Sequence, residues 1–404
     1  MTFALTFGLA LLIAVLVSAL SARSPLSTSL VFLVAGLVAG PLILDVEHLS
    51  ASVIRQVASV TLFAVLFADG QRAPLAVLRR QWREPARALL IGMPLTFAVV
   101  AALAHFLIGL DWAGAMLVGA ILAPTDPVFA SALVGRDDIP GGLRSLLNIE
   151  SGLNDGLALP VVLVLVGVLG GNPPGESVEI GVLIGEVLLG VVLGVLLPLA
   201  TAALVHLPFF GVEPRVQPLG PLAVAVLLFV ACDALGANLY LAAFTAGITL
   251  ATVSPQASES FAPVGELVSE LSKNGALLAF GALASPALFA DIGAPGWVFA
   301  VLAVAIGRPG PVMIALHGTR SLTVQHRLAA AWFGPKGFAS VVYGLLVLES
   351  GIADEAEILA LVVATVLVSI TVHSTSDVPI AALLHEEPDD GTEPDDSARH
   401  PSGP

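Results

Sequence analysis

Apolar stretches about as long as a hydrocarbon core requires, roughly 20 helical residues, follow one another along this chain from residue 3 to residue 377. They are rich in Leu, Val, Ala and Gly and lack the strict alternation of barrel strands, so they read as helices. Composition agrees: of 404 residues, 57% are hydrophobic and only 12% charged. Soluble domains carry about 45–50% apolar and about 25% charged residues. A chain this apolar cannot cover a water-facing surface with polar groups. The expectation is an all-α polytopic membrane protein, with one transmembrane domain over residues 1–384 and no soluble catalytic module.

About thirteen spans are expected, at 3–20, 26–44, 52–69, 88–109, 112–134, 143–169, 178–205, 219–235, 238–253, 264–290, 296–316, 328–348 and 355–377. The opening segment lacks a basic region ahead of its apolar run, so it reads as the first span and not as a signal peptide. The tenth span carries Glu266, Glu270 and Lys273 near its start and is expected to lie partly at the membrane interface. Cys232 sits alone in an apolar run and reads as a small core residue. Much of the net charge of −15 comes from the segment 385–404. Its Glu386, Glu387, Asp389, Asp390, Glu393, Asp395 and Asp396 stand among Pro and Gly, and a disordered acidic cytoplasmic tail is expected.

Basic residues sort the loops. Arg23, Arg72, Arg79, Arg80, Arg83, Arg87, Arg136, Arg144, Arg215, Arg320 and Arg327 fall on one side. Asp45, Glu47, Asp111, Glu176, Glu179, Asp291, Asp354, Glu355 and Glu357 fall on the other, with Arg55 the exception. By the positive-inside rule the N-terminus is outside and the C-terminus cytoplasmic, in the cell (inner) membrane. Spans one to six and eight to thirteen then form two six-helix halves of opposite orientation. In each half the fifth span is interrupted, by Ala123-Pro124-Thr125-Asp126-Pro127 and by Gly334-Pro335-Lys336-Gly337. Proline removes a backbone donor and clashes with the preceding turn. Matching breaks in two inverted repeats point to a transporter's binding site.

An ionisable group within a span costs about 2.5–3.5 kcal/mol on insertion scales and is functional by default. The deep ones are Asp126, Glu150, Asp155, Arg308 and Lys336, with Asp69 near the end of the third span. In Glu150-Ser151-Gly152-Leu153-Asn154-Asp155, residues four apart share a helix face. Ser151, Asn154 and Asp155 then offer a hydroxyl, an amide and a carboxylate, the oxygen donors that small hard cations prefer. The unwound fifth span frees a carbonyl at Thr125. Asp126, a further candidate for the cation- and proton-binding set, is expected at the positive end of a half-helix, and Lys336 at the opposite, negative ends. Arg308 is cationic at any physiological pH and needs a carboxylate, for which Glu150 is the candidate, leaving Asp155 free. Three acids against two bases leave one negative charge, which fits one proton or one monovalent cation in competition. A buried, ionised Asp69 would upset that count. Such competition gives one-for-one, electroneutral exchange.

With these motifs, the sequence resembles the sodium/proton antiporters, in the NhaP-type branch of the monovalent cation:proton antiporter superfamily. Thr125-Asp126-Pro127, Glu150-Ser151 with Asn154-Asp155, Arg308, and Trp332-Phe333-Gly334-Pro335-Lys336-Gly337 carry the resemblance. It implies six core helices around two crossed, broken helices and a dimerisation bundle, hence a homodimer. It implies that Asp155 binds cation and proton, with Ser151 and the Thr125 backbone assisting. Asn154 in place of a second Asp is similar to the electroneutral type. Two departures stand out: members usually carry Arg at the position of Lys336, and many carry Glu-Ala-Gly or a similar acidic motif where this chain has Phe67-Ala68-Asp69-Gly70, so the resemblance leaves open whether Asp69, a further candidate ligand, joins the site. The expected partners are Na+ or another monovalent cation, H+ and the lipid bilayer. No cofactor and no nucleic acid is expected. The alternative is a transporter of the same fold carrying K+ or another substrate. Neither His-Glu-x-x-His nor a paired Gly-x-Gly-Asp motif is present, so no hydrolase constellation is assembled.

Overall fold

The computed structural model describes residues 2–21, 28–42, 51–72, 82–126, 141–170, 180–205, 207, 209, 211–284, 288–289, 292–319, 321–347, 350–352 and 354–383. The expected acidic tail lies outside the described residues. Those described are helical, with no strand among them.

In chain order the helices are α1 Thr2–Ser21, α2 Thr28–Leu42, α3 Ala51–Gln71, α4 Arg83–Ile108, α5 Trp112–Leu122, α6 Gly141–Leu169 and α7 Ile180–Val205. There follow α8 Leu219–Leu235, α9 Leu239–Val253, α10 Pro255–Leu283, α11 Gly293–Ala315, α12 Val324–Trp332, α13 Phe338–Val347 and α14 Glu355–Leu383. Starts are set by side-chain caps: Asp111 accepts from Gly114 N at 2.8 Å, Asn238 from Leu241 N at 3.0 Å, and Thr323 from His326 N at 3.2 Å.

Two packing groups appear. Helices α2, α3, α7, α8, α9 and α10 pack on one another, and α4, α5, α6, α11, α12, α13 and α14 form the other group. Glycines set the close approaches in the first. A Cβ on Gly36 or Gly281 would overlap the backbone of the other's helix, and Gly70 and Gly247 meet in the same way between α3 and α9. In the second group α14 is buried centrally, with Thr365 and Ser369 inaccessible. By contrast α7 turns Val182, Leu188 and Leu196 outward. That outward apolar surface, on helices long enough to cross a bilayer, is what a multi-pass membrane protein presents to lipid.

One boundary is corrected here. The tenth helix starts at Pro255 and not at 264. Glu266 and Glu270 on it are exposed, while Ser269, Lys273 and Asn274 are buried. The interruptions expected in the fifth and twelfth spans are present. Helix α5 stops at Leu122, and residues 123–126 are unwound. Helix α12 stops at Trp332, and residues 333–337 are unwound before α13 begins.

Candidate cation and proton site

The two unwound segments cross and bond to each other. The Asp126 N–H donates to the Pro335 carbonyl at 2.9 Å, and Ser340 Oγ donates to Ile121 O at 2.8 Å. Lys336 Nζ donates to Ala123 O at 3.1 Å and Pro124 O at 3.2 Å, the carbonyls just past the end of α5. A helix C-terminus leaves carbonyls without partners and carries partial negative charge, so a cation there is favourable. The Asp126 carboxylate lies against Gly337, just ahead of α13, where any side chain would overlap it. A helix start favours a carboxylate for the converse reason.

Arg308 enters the same region from α11. The turn before it widens to a π-turn over Ala303–Gly307, and Pro309 follows without an N–H to give. Arg308 Nη2 donates to Glu150 Oε1 at 2.6 Å, with both side chains buried. Its Nη1 donates to Ala330 O at 2.8 Å and Ala331 O at 2.7 Å, the closing carbonyls of α12. The guanidinium lies over Gly334, where a Cβ would collide with it. Sequence reasoning paired Arg308 with Glu150 but missed its place at this helix end. His373 joins it: Nε2 lies 3.0 Å from Trp332 O, and Nδ1 lies 2.7 Å from Ser369 O. Ser369 Oγ accepts the Lys336 N–H at 2.7 Å, so α14 braces the second break.

Asn154 and Asp155 approach from α6. Asn154 Nδ2 donates to Thr125 O at 3.0 Å and to Thr125 Oγ1 at 2.7 Å. The amide therefore turns its nitrogen to the first break, a detail that the helix-face argument did not reach. Tyr343 OH donates to the Asp155 carbonyl at 2.9 Å. Ser151 lies on α6, but its side chain falls outside the described residues. Among the described residues, the buried oxygens Asp155 Oδ1, Asn154 Oδ1 and Asp69 Oδ2 find no hydrogen-bond partner. Buried acceptors are normally satisfied, so these three are spare donor atoms for a hard cation.

Asp69 is 1% exposed, and its Oδ1 meets Arg72 Nη1 at 3.4 Å. Arg72 is half exposed and also reaches Glu266 at 3.2 Å. Asp69, Asp126, Lys273 and Lys336 all stand within electrostatic reach of Asp155. The burial of Asp69 removes the three-against-two count as first drawn. The buried Lys273 enters with the opposite sign, however. Among the described residues the buried acids are Asp69, Asp126, Glu150 and Asp155, and the buried Lys and Arg residues are Lys273, Arg308 and Lys336. One formal negative charge is again left over.

The model of a family described as "Sodium/hydrogen exchanger, transmembrane" matches residues 9–383. A K(+)/H(+) antiporter NhaP2 of Shewanella sp. (strain MR-4) is 26% identical over 389 residues, spanning 96% of this chain and 67% of that protein. A K(+)/H(+) antiporter NhaP of Alkalimonas amylolytica is 26% identical over 95% of this chain and 67% of its own length. The structure of the sodium proton antiporter MjNhaP1 from Methanocaldococcus jannaschii at pH 8 superposes with a TM-score of 0.78 at 19% identity, covering 95% of this chain and 98% of that one. It shares the fold. With a family model matched over nearly its whole length, this chain belongs to the sodium/hydrogen exchanger family.

Proposed function

We propose that this membrane protein exchanges a monovalent cation, Na+ first, for H+, and that both bind in turn at Asp155. The observation that carries the site assignment is the buried Asp155 Oδ1, without a hydrogen-bond partner among the described residues, beside two unwound segments that bond to each other. Thr125, Asn154 and Asp69 complete the oxygen set, with Ser151 one turn before Asp155 on α6. Asp126, Lys336 and Arg308 hold the breaks by answering helix-end charges, and Glu150 neutralises Arg308.

The chemistry follows from charge. Burial disfavours an ionised carboxylate, and a proton or a monovalent cation each relieves the leftover negative charge. Crossing the membrane with that charge uncompensated is expensive. Only the occupied site passes between its two access states, so inward movement of one ion requires outward movement of the other. One cation for one proton moves no net charge. The sorting of arginines supports a cytoplasmic C-terminus and residence in the cell membrane. A homodimer is the assembly we infer, with α1–α3 and α7–α10 as the bundle that pairs.

K+ is the second reading, favoured by the names of the two curated relatives. Purified protein in liposomes with an internal pH-sensitive dye separates the two. NaCl, LiCl and KCl are added in turn against an imposed proton gradient. Na+ and Li+ are expected to dissipate it at lower concentration than K+. A response to K+ alone would replace the first reading with the second, and a response to none would remove both. Exchange unaltered by a valinomycin-clamped potential is the expected sign of neutrality.

A further inference from the structure

Arg72 has no role in the exchange as described so far. It stands just past the end of α3 and divides its guanidinium between two acids. Nη1 lies 3.4 Å from Asp69 Oδ1, and Nη2 donates to Glu266 Oε1 at 3.2 Å. The three side chains differ in depth: Asp69 is buried, Arg72 half exposed and Glu266 exposed. One guanidinium therefore reaches from water to a buried carboxylate. The other oxygen of that carboxylate, Oδ2, is buried and finds no hydrogen-bond partner among the described residues. The backbone here is pinned. Gln71 Oε1 accepts from Ser258 Oγ on α10 at 2.9 Å, and a Cβ on Gly70 would overlap the Phe244 carbonyl of α9. Ser269, three residues after Glu266 on α10, is buried, so the polar face of α10 continues inward from this mouth. Helix α3 also packs on α6, which carries Asp155, and on α13.

We propose that Arg72 is a built-in competitor of the transported cation at Asp69, and that Glu266 sets how readily it lets go. This rests on the reading of Asp69 as one of the site's oxygen ligands. A guanidinium and a monovalent cation carry the same charge and seek the same carboxylate. With the site empty, Arg72 holds Asp69 by Oδ1. A cation arriving at Oδ2 places a second positive charge on that carboxylate. The guanidinium, already in water on its outer side, then turns wholly to Glu266. The long side chain moves while the pinned backbone stays. A solvent-exposed ion pair contributes little stability, so little is lost when Arg72 changes partner in either direction. Arg72 is thus a positioning residue: it acts on the cation only through Asp69.

The test is Na+ titration of exchange in proteoliposomes at one alkaline pH. The proteins are wild type, Arg72→Gln, Glu266→Gln, the double variant and Asp69→Asn. Arg72→Gln removes the competitor and is expected to lower KM about fivefold. Glu266→Gln leaves Arg72 on Asp69 and is expected to raise KM about threefold. Vmax is expected to change little in both. In the double variant the loss of Glu266 has nothing to act through, so KM equals that of Arg72→Gln alone. Two surface charges acting independently on an approaching cation would instead add and return the double variant close to wild type. That result overturns the proposal. So does a wild-type KM in Arg72→Gln, with or without a fall in Vmax, which is what a purely structural arginine gives. Arg72→Met serves equally where Arg72→Gln does not fold. Asp69→Asn separates the proposal from the reading beneath it. An unchanged KM there removes Asp69 from the site, and the proposal falls with it. A raised KM there, beside a wild-type KM in Arg72→Gln, sinks the proposal alone and leaves Asp69 in place.

Discussion

The amide of Asp126 donates to the carbonyl of Pro335 across 2.9 Å, so the two broken helices are bonded together at their unwound segments. Each break loses helical hydrogen bonds, and each supplies part of what the other lacks. Lys336 from the second answers the open carbonyls of α5, while Asp126 from the first sits at the start of α13. Charges at helix ends contribute about 0.3–1 kcal/mol when exposed and up to about 2 kcal/mol when partly buried. Here they also set where the ligand oxygens lie.

Gly337→Ala tests that contact. Its Cβ would overlap the Asp126 carboxylate, so one of the two segments must shift. Displacements of this size at a reacting centre cost up to about a hundredfold in rate. Exchange at saturating cation is expected to fall at least about tenfold, measured by dye quench at equal protein density.

The pair of Arg308 and Glu150 tests helix bracing. Removing one member of a buried pair strands the other and costs about 3–5 kcal/mol. Glu150→Gln is expected to lower the unfolding free energy in detergent by about that much. Replacing both, as Glu150→Gln with Arg308→Met, recovers only part. The carbonyls of Ala330 and Ala331 still lose their donor, a further loss of about 1–3 kcal/mol. Full recovery would show that Arg308 does nothing at the end of α12.

Asn154→Ala removes both bonds to Thr125. The segment carrying the Thr125 carbonyl then loses its tie to α6. One hydrogen bond of about 1–1.5 kcal/mol corresponds to about tenfold in affinity. KM for Na+ is expected to rise by that factor with Vmax little changed, as read from cation titrations.

The pH dependence has a definite sign. Protons and cations compete, so acid raises KM and alkali lowers it. Below the titration of Asp155, each unit fall in pH is expected to raise KM about tenfold. Vmax at saturating cation is expected to stay flat over the same range. A Vmax that falls with acid at fixed KM would mean that protons inhibit elsewhere.

Much of this architecture is legible in the sequence, because the bilayer imposes strong rules. Apolar runs mark helices, Pro-rich interruptions mark the breaks, and any charge left inside a span must have a reason. Asp126, Asp155, Arg308 and Lys336 all announce themselves in that way. What the sequence does not convey is side-chain direction. Lys273 stands two turns after Glu266, and the run of charges reads as an interfacial helix start. Packing against α3 and α13 buries it instead. Helix-face spacing alone has Asn154 offer its oxygen, but the amide turns its nitrogen to Thr125, where an unwound carbonyl accepts. Ser369 and His373 are four apart in an apolar helix, a polar pair whose spacing could have flagged the brace on the second break. Their partners, Lys336 N and Trp332 O, come from more than thirty residues away.

The account stands on a single carboxylate holding H+ or a cation by turns. Asp155→Asn keeps the size of the side chain and removes its charge. In proteoliposomes with an imposed proton gradient, the substituted protein is expected to give no cation-driven change in internal pH, while its folding and density match wild type. Cation-coupled proton movement at the wild-type rate in Asp155→Asn would contradict the account at its centre.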